Sequence, residues 1–423
     1  MTQDPHLDPE TDLAVTPDPT AYQWRWQDIV LGLQMLFVAF GALVLVPILT
    51  GLDPNVALFT AGLGTLVFQL VTGGKVPVFL ASSFAFIAPI QLGVKQYGLP
   101  QTLSGLMAAG GLYLVLSLLI FWRGPGFLLR LLPPIVTGPV IMVIGLSLAP
   151  IAVNMASEAG DRYTATMALG VAAASLLATM ITALFSRGWL HLVPILVGIL
   201  TGYLVALPLG MVDFSPLAEA PWFAMPNFTF PVVHGPAILF LVPVAIAPAI
   251  EHFGDILAIG AVAKKEYFRD PGVHRTLLGD GLATSLAAFF GGPPNTTYSE
   301  VTGAVALTKS FNPAIMTWAA LCSVLLAFVG KLGAFLSTIP TPVMGGIVVI
   351  LFGTIVVIGI NTLAQSGQDL LKSRNVVIMA VILVLGVGGL AVKTGNFGLE
   401  GIGLSAVLGV VLNLLIPEGQ TEE

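Results

Sequence analysis

Fourteen apolar segments follow one another along this 423-residue chain, at 29–49, 56–72, 76–91, 101–122, 130–152, 165–186, 189–211, 236–262, 275–290, 296–308, 313–331, 340–361, 375–393 and 398–416. Gly, Pro or a charged residue punctuates each of them. That succession constrains the fold more than any motif, because only 9% of the residues are charged while 56% are hydrophobic. Soluble proteins carry about 25% charged residues, and a surface this poor in charge cannot be kept wet. At about 20 residues per span, fourteen helices use about 280 residues and leave room for loops. The runs lack the alternating polar positions of a transmembrane β-barrel. The chain therefore reads as an all-α polytopic membrane protein whose first partner is the lipid bilayer. A water-soluble enzyme, a nucleic-acid binder and a disulfide-stapled secreted domain are excluded. The single cysteine, Cys322, lies in an apolar run and reads as a small buried hydrophobe.

Residues 1–28 are rich in Asp-Pro pairs and hold Arg25 as their only basic residue. They read as a disordered tail, since a signal peptide would open on a basic stretch. With that tail in the cytoplasm, twelve of the sixteen Lys and Arg residues fall on the cytoplasmic side, among them Lys75, Arg187, Lys264, Lys265, Arg269 and Arg374. Only Lys95, Arg162, Lys331 and Lys393 fall opposite. This asymmetry follows the positive-inside rule. It predicts an even span count in a cell membrane, with the tail 417–423 also cytoplasmic.

An internal repeat is visible. Pro134, Gly138 and Gly145 recur as Pro342, Gly346 and Gly353 at a constant offset of 208 residues. The third and tenth segments are short and broken, and they occupy the same place in each set of seven. One runs from Pro77 through Ser82-Ser83-Phe84-Ala85-Phe86, the other from Pro294 through Thr297-Tyr298-Ser299-Glu300. Seven is odd, so the second set must insert upside down relative to the first. The expectation is 14 transmembrane segments in a 7+7 inverted repeat, segments 3 and 10 broken by short extended stretches. That is the architecture of secondary transporters, with the site between the repeats at the membrane midplane.

Four acids lie within spans: Glu251, Asp255, Asp280 and Glu300. Each costs about 2.5–3.5 kcal/mol there, and no Lys or Arg shares their apolar stretches. A proton or a polar substrate is the partner this implies. Glu251 and Asp255 stand four apart and share one helical face. Two charges about 6 Å apart at an effective dielectric near 20 repel by roughly 3 kcal/mol, so the pair is expected to hold a proton and titrate as a unit. His252 faces away from Glu251 and reads as a packed or hydrogen-bonded histidine. Pro293-Pro294 cannot continue a helix interior, so the tenth segment should be extended before it starts a half-helix, as should the third. Irregular backbone at membrane depth is tolerated where it lines a cavity or is buried in protein, and two half-helix N-termini would aim N–H donors at its centre. With aromatic faces from Phe84, Phe86 and Tyr298, such a site suits a small planar heterocycle of alternating N–H and C=O groups. A bare Na⁺ site is the alternative the residues leave open, though it would leave the aromatics without a role. No HExxH, CxxC or phosphate-loop pattern occurs. Neither an enzyme nor a cofactor or metal site is expected.

At these residues the sequence resembles the nucleobase–ascorbate transporter family, in its bacterial uracil–proton symporter branch. The stretches that carry the likeness are Leu33-Gln34-Met35-Leu36-Phe37, Ser82 to Phe86, Glu251-His252-Phe253-Gly254-Asp255, Lys264-Lys265 to Gly272, and Pro294 to Glu300. The resemblance implies a core domain (29–122 and 236–331) that carries the substrate, and a gate domain (130–211 and 340–416) that dimerises. It implies that Glu251 and Glu300 bind the base, that backbone N–H groups of Phe84 and Ser299 bind its carbonyls, and that Ala42, Tyr298 and Phe352 line the pocket. Glu251, Asp255 and Asp280 would couple the proton. The implied activity is proton-coupled uptake of uracil by alternating access. The chain departs from the branch at Met35, Asp255, Asp280 and Val301. Asp255 and Asp280 resemble the purine carriers, while Glu300 resembles the uracil carriers, so a xanthine or purine–proton symporter is the alternative.

Overall fold

The computed structural model describes residues 18–160, 162–394 and 397–417. After a short 3₁₀ turn, α1 (Ile29–Thr50) and α2 (Pro54–Thr72) run back to back, followed by strand β1 (Leu80–Ser82), α3 (Ile87–Tyr97) and α4 (Leu99–Arg123). Then come α5 (Pro125–Leu131), α6 (Pro134–Ser157), α7 (Ala165–Phe185), α8 (Pro194–Ala206) and α9 (Ser215–Glu219). The second half holds α10 (Gly235–Leu241), α11 (Ile246–Ala263), α12 (Val273–Phe290), β2 (Asn295–Thr297), α13 (Ser299–Thr308), α14 (Ala314–Ala327) and α15 (Gly330–Ser337). It closes with α16 (Thr341–Gln365), α17 (Ser373–Val387), β3 (Ala391–Thr394), β4 (Phe397–Glu400) and α18 (Gly401–Leu415). Among the described residues, seven helical stretches are long and apolar enough to cross a membrane, and four shorter apolar helices accompany them. Leu70, Phe185 and Leu415 are more than two-thirds exposed, as lipid-facing side chains are.

Local chemistry sets the ends of these elements. Asp53 caps α2 by accepting from Asn55 N–H (2.7 Å), with Pro54 in the first turn. Gly73 ends that helix in the left-handed region at φ 68°. The eighth apolar segment is not one uniform helix. A 3₁₀ turn over Val242–Ala245, carrying Pro243, joins α10 to α11. The expected all-α fold also carries a β3–β4 hairpin ahead of α18, paired Ala391 to Glu400 and Val392 to Leu399.

The stretches expected to be extended, from 75 to 84 and from 293 to 299, contain β1 and β2, which pair with each other, antiparallel, Leu80 opposite Thr297 and Ser82 opposite Asn295. Buried backbone must find partners for its N–H and C=O groups, and side chains complete what the pairing leaves. Thr65 Oγ1 accepts Leu80 N–H (2.9 Å), Gln69 Nε2 donates to Val76 C=O (2.9 Å), and Thr284 Oγ1 donates to Asn295 C=O (2.8 Å).

The helices pack in two groups. In one, α2 lies between α12 and α14, α4 packs on α12 and α10, and α1 packs on α14. In the other, α16 lies against α6 and α7, and α17 and α18 close on α6. Three of the four repeated glycines make the second group tight. A Cβ on Gly138 would stand 2.9 Å from Gly359 C=O, one on Gly145 2.6 Å from Phe352 C=O, and one on Gly346 2.1 Å from Ala172 C=O. Without side chains at these points the helix backbones approach closely enough for dispersion contacts to hold them.

One expectation is corrected here. Residues 1–17 of the predicted disordered tail lie outside the described residues, but 18–28 are tied down. Trp24 stacks on Trp318 with ring centroids 4.1 Å apart, Asn312 Nδ2 donates to Gln23 C=O (2.7 Å), and Lys265 Nζ donates to Asp18 Oδ2 (2.7 Å). The aromatic residues Tyr22, Trp24 and Trp26 supply an apolar contact that the Asp-Pro composition of the tail as a whole conceals.

Candidate functional site

Between the two helix groups lies a cavity of ≈ 50 Å³. The first group supplies Ser83, Phe84, Glu251, Thr296, Thr297, Tyr298 and Glu300 to its wall. The second supplies Ile141 and Ile144 from α6, and Leu351, Thr354, Ile355 and Ile358 from α16. Phe84 opens a 3₁₀ turn and Ser299 opens α13. First-turn N–H groups have no partner within their own helix, and both helix starts belong to segments that enter the cavity wall. Glu300 sits in the first turn of α13, where the helix dipole favours an acid. Its side chain is exposed into the cavity, and Glu251 is half-buried. The rings of Phe84 and Tyr298 stand 6.2 Å apart at 40°. Tyr298 Oη is buried and has no protein hydrogen-bond partner among the described residues.

The structure thus brings Glu251, Glu300, Phe84 and Tyr298 to one cavity. The side chain of Ser299 lies outside the described residues. Three residues expected at the site lie off this cavity. Phe86 is fully buried in the protein core and adds no face to the cavity. Phe352 is 2% exposed and lies off the stripe Leu351, Thr354, Ile355, Ile358 that faces it. One residue is about 100° of helix, which turns Phe352 out of that stripe. Ala42 is buried within α1 and does not reach the wall either. The wall residues missed from sequence are Ser83, Thr296 and Thr297 and the α6 and α16 aliphatics. The α16 stripe has helical spacing, but an apolar stripe facing a cavity reads the same as one facing lipid.

Asp255 and Asp280 are not in the wall. They lie behind Thr297 in a buried network, where Asp280 and His252 are each 1% exposed and Asp255 6%. Thr297 Oγ1 donates to Asp255 Oδ2 (3.1 Å), and its backbone N–H donates to Asp280 Oδ2 (3.0 Å). His252 Nδ1 is 2.9 Å from Asp280 Oδ2 and 3.1 Å from Thr297 Oγ1, and Nε2 is 2.8 Å from Thr276 Oγ1. The reading of His252 as a hydrogen-bonded histidine agrees with this geometry. A carboxylate pair, two helix starts and an aromatic corner can hold a small, flat, neutral molecule bearing both donors and acceptors. Free carboxylates facing the same space disfavour an anion.

Comparison with known proteins accords with this arrangement. Residues 26–395 match the sequence profile described as "Permease family". The chain is 54% identical over 390 residues to a probable uracil permease of Pasteurella multocida, covering 92% of this chain and 94% of that one. It is 51% identical over 408 residues to a probable uracil permease of Haemophilus influenzae, covering 96% and 99%. The chain belongs to this permease family, as a member of the nucleobase–ascorbate transporters. In fold it is similar to the transmembrane domain of a cyanobacterial bicarbonate transporter, BicA, at TM-score 0.61 and 15% identity over 93% of this chain and 99% of that one. At that identity the likeness concerns architecture alone.

Proposed function

We propose that this protein is a uracil–proton symporter of the cell membrane that carries the base inward by alternating access. The observation that carries the reading is the cavity itself: Glu251 and Glu300 face one space with Phe84 and Tyr298 at the seam of two helix groups. Uracil offers N–H groups to carboxylates, carbonyls to the N–H groups of Phe84 and Ser299, and a flat face to the aromatics. The buried hydroxyl of Tyr298 is a further partner for it. The names of the relatives support uracil over a purine. Protonation offsets the cost of the acids in the membrane, which couples the base to the proton; Glu251, Asp255 and Asp280 carry that coupling.

In this reading the two helix groups are a core domain of segments 1–4 and 8–11 and a gate domain of segments 5–7 and 12–14. Together they make fourteen segments in an inverted 7+7 repeat. The glycine repeat at offset 208 and the pairing of β1 with β2, one strand from each half, support it. The gate forms the homodimer contact, and both termini lie in the cytoplasm.

The test is uptake of radiolabelled uracil into proteoliposomes under an imposed gradient, acid outside, with xanthine and hypoxanthine as competitors. Accumulation that rises with the gradient and resists the purines is expected. Uptake indifferent to the gradient rejects the coupling, and competition by xanthine at equal concentration rejects the substrate.

A further inference from the structure

Behind the cavity wall, five polar side chains from three elements form one buried chain: Asp255 and His252 from α11, Thr276 and Asp280 from α12, and Thr297 from β2. We propose that the His252–Asp280 pair is a proton-binding site of the transport cycle, joined to the cavity through Thr297 and kept ready by the hydroxyl of Thr276. The inference rests on the proton-coupled reading above and adds to it a residue, His252, on which the proton resides.

Hydrogen-bond accounting carries the proposal. With neutral His252, Nδ1–H donates to Asp280 Oδ2 at 2.9 Å, and the Nε2 lone pair accepts the Thr276 hydroxyl at 2.8 Å. Thr276 Oγ1 also lies 3.1 Å from Val273 C=O. A proton added at Nε2 turns that bond round: Nε2–H donates to Thr276 Oγ1, and the hydroxyl hydrogen swings to the Val273 carbonyl. Both ring nitrogens of His252 and the Thr276 hydroxyl stay satisfied in both states and no heavy atom moves, because a hydroxyl both donates and accepts. Imidazole is the side chain whose protonation falls in the physiological range.

Acidic side chains surround this pair. On α11 the acids Asp255 and, one turn earlier, Glu251 flank His252; Asp280 faces it from α12; and α13 brings Tyr298 and Glu300 to the same wall. Tyr113 of α4 packs against Gly281, beside Asp280. His274, at the start of α12, is turned away onto Phe121 (5.5 Å). Among the described residues, His252 makes its ion pair with Asp280. Asp280 Oδ1 has no protein partner among the described residues, so its charge is met on one oxygen only. A protonated His252 answers it. Thr297 links this pair outward: its hydroxyl reaches Asp255, its N–H reaches Asp280, and it lines the cavity. A base that shifts β2 on binding therefore alters both acids at once.

The experiment compares two transport modes in proteoliposomes. In His252→Gln, accumulation of uracil driven by an acid-outside gradient is lost, while exchange of labelled for unlabelled uracil at equal pH falls less. Accumulation equal to that of the unsubstituted chain overturns the proposal. Thr276→Val leaves His252 in place and removes the acceptor of its Nε2–H. Bonds to charged groups are worth more than neutral ones, so the pH dependence of uracil binding shifts to lower pH, and Thr276→Ser restores it. An unmoved profile in Thr276→Val overturns the proposal even where His252→Gln does not fold. An unsubstituted chain that binds no uracil overturns the functional reading itself, which keeps the two failures apart.

Discussion

At the scale of single residues, the acids of this chain divide into two sets that one composition count cannot separate. Glu251 and Glu300 face the cavity, whereas Asp255 and Asp280 lie behind it in hydrogen bonds to Thr297. Different consequences follow from removing them. Glu300→Ala deletes an acceptor that the proposed ligand meets directly; a hydrogen bond to a charged group is worth about 1.5–3 kcal/mol, or about 10- to 100-fold in affinity. Calorimetry on the purified variant should show uracil binding weakened by at least that much. Asp255→Asn keeps the shape and a hydrogen-bond acceptor but gives up a titrating group. Its affinity for uracil should change little, while gradient-driven accumulation falls. Native affinity in Glu300→Ala would remove Glu300 from the site. The four acids were legible because charge in a membrane span is costly, but helical spacing could not say which of them face the cavity, since α11 presents Glu251 and Asp255 at nearly the same angle; only the resemblance pointed to Glu251 and Glu300. What separates them is Thr297 of β2, which donates to Asp255 and itself lines the cavity beside Glu251.

At the scale of elements, two features bear on stability. The first is the glycine packing of α16. Gly346 has Ala172 C=O where a Cβ would go, whereas Gly353, on the same helix, opens on free space. Gly346→Val must push α16 from α7, and overpacking costs typically 1–3 kcal/mol. Thermal unfolding in detergent should show a clearly lowered midpoint for Gly346→Val and almost none for Gly353→Val. The second is the strap formed by residues 18–28. The Lys265 ammonium, with Thr20, holds the Asp18 carboxyl well below its usual range. A group whose value is depressed on folding contributes above its ordinary range and loses that contribution as pH falls toward the depressed value. Docking of the strap, read from the fluorescence of the stacked Trp24 and Trp318, should hold steady from about pH 8 to about pH 5 and weaken only in stronger acid. The ion pair is exposed and screened, so added salt should loosen the strap more than mild acid does. Fluorescence that titrates between pH 5 and 8 would assign the docking to other groups.

At the scale of the whole molecule, the seam between the two helix groups is the place where a small motion changes most. The cavity takes its acids and aromatic rings from one group and mostly aliphatic side chains from the other, so in the proposed alternating access a slide of one past the other would uncover the acids beside an apolar surface. The same organisation makes the topology testable. Cys322 is the sole cysteine, so Cys322→Ser gives a background for single-cysteine labelling. In intact cells a membrane-impermeant thiol reagent should fail to reach Gln420→Cys or Thr2→Cys, and should reach both after permeabilisation. Labelling of one terminus from outside would break the even span count.

Membership among multi-pass membrane proteins, the succession of apolar segments and the presence of acids within spans that hold no Lys or Arg were all determined by the sequence, because the cost of charge and of unpaired backbone in lipid acts on each segment separately. The extended stretches were legible from local chemistry too: the pair Pro293-Pro294 cannot continue a helix interior. Tertiary structure alone decided that those stretches pair with each other, that Phe352 and Ala42 stay out of the wall, that Trp24 finds Trp318 across the fold, and that His252 meets Asp280. These depend on which helix faces meet, and in a chain apolar on every side no local pattern distinguishes a face that meets lipid from one that meets protein.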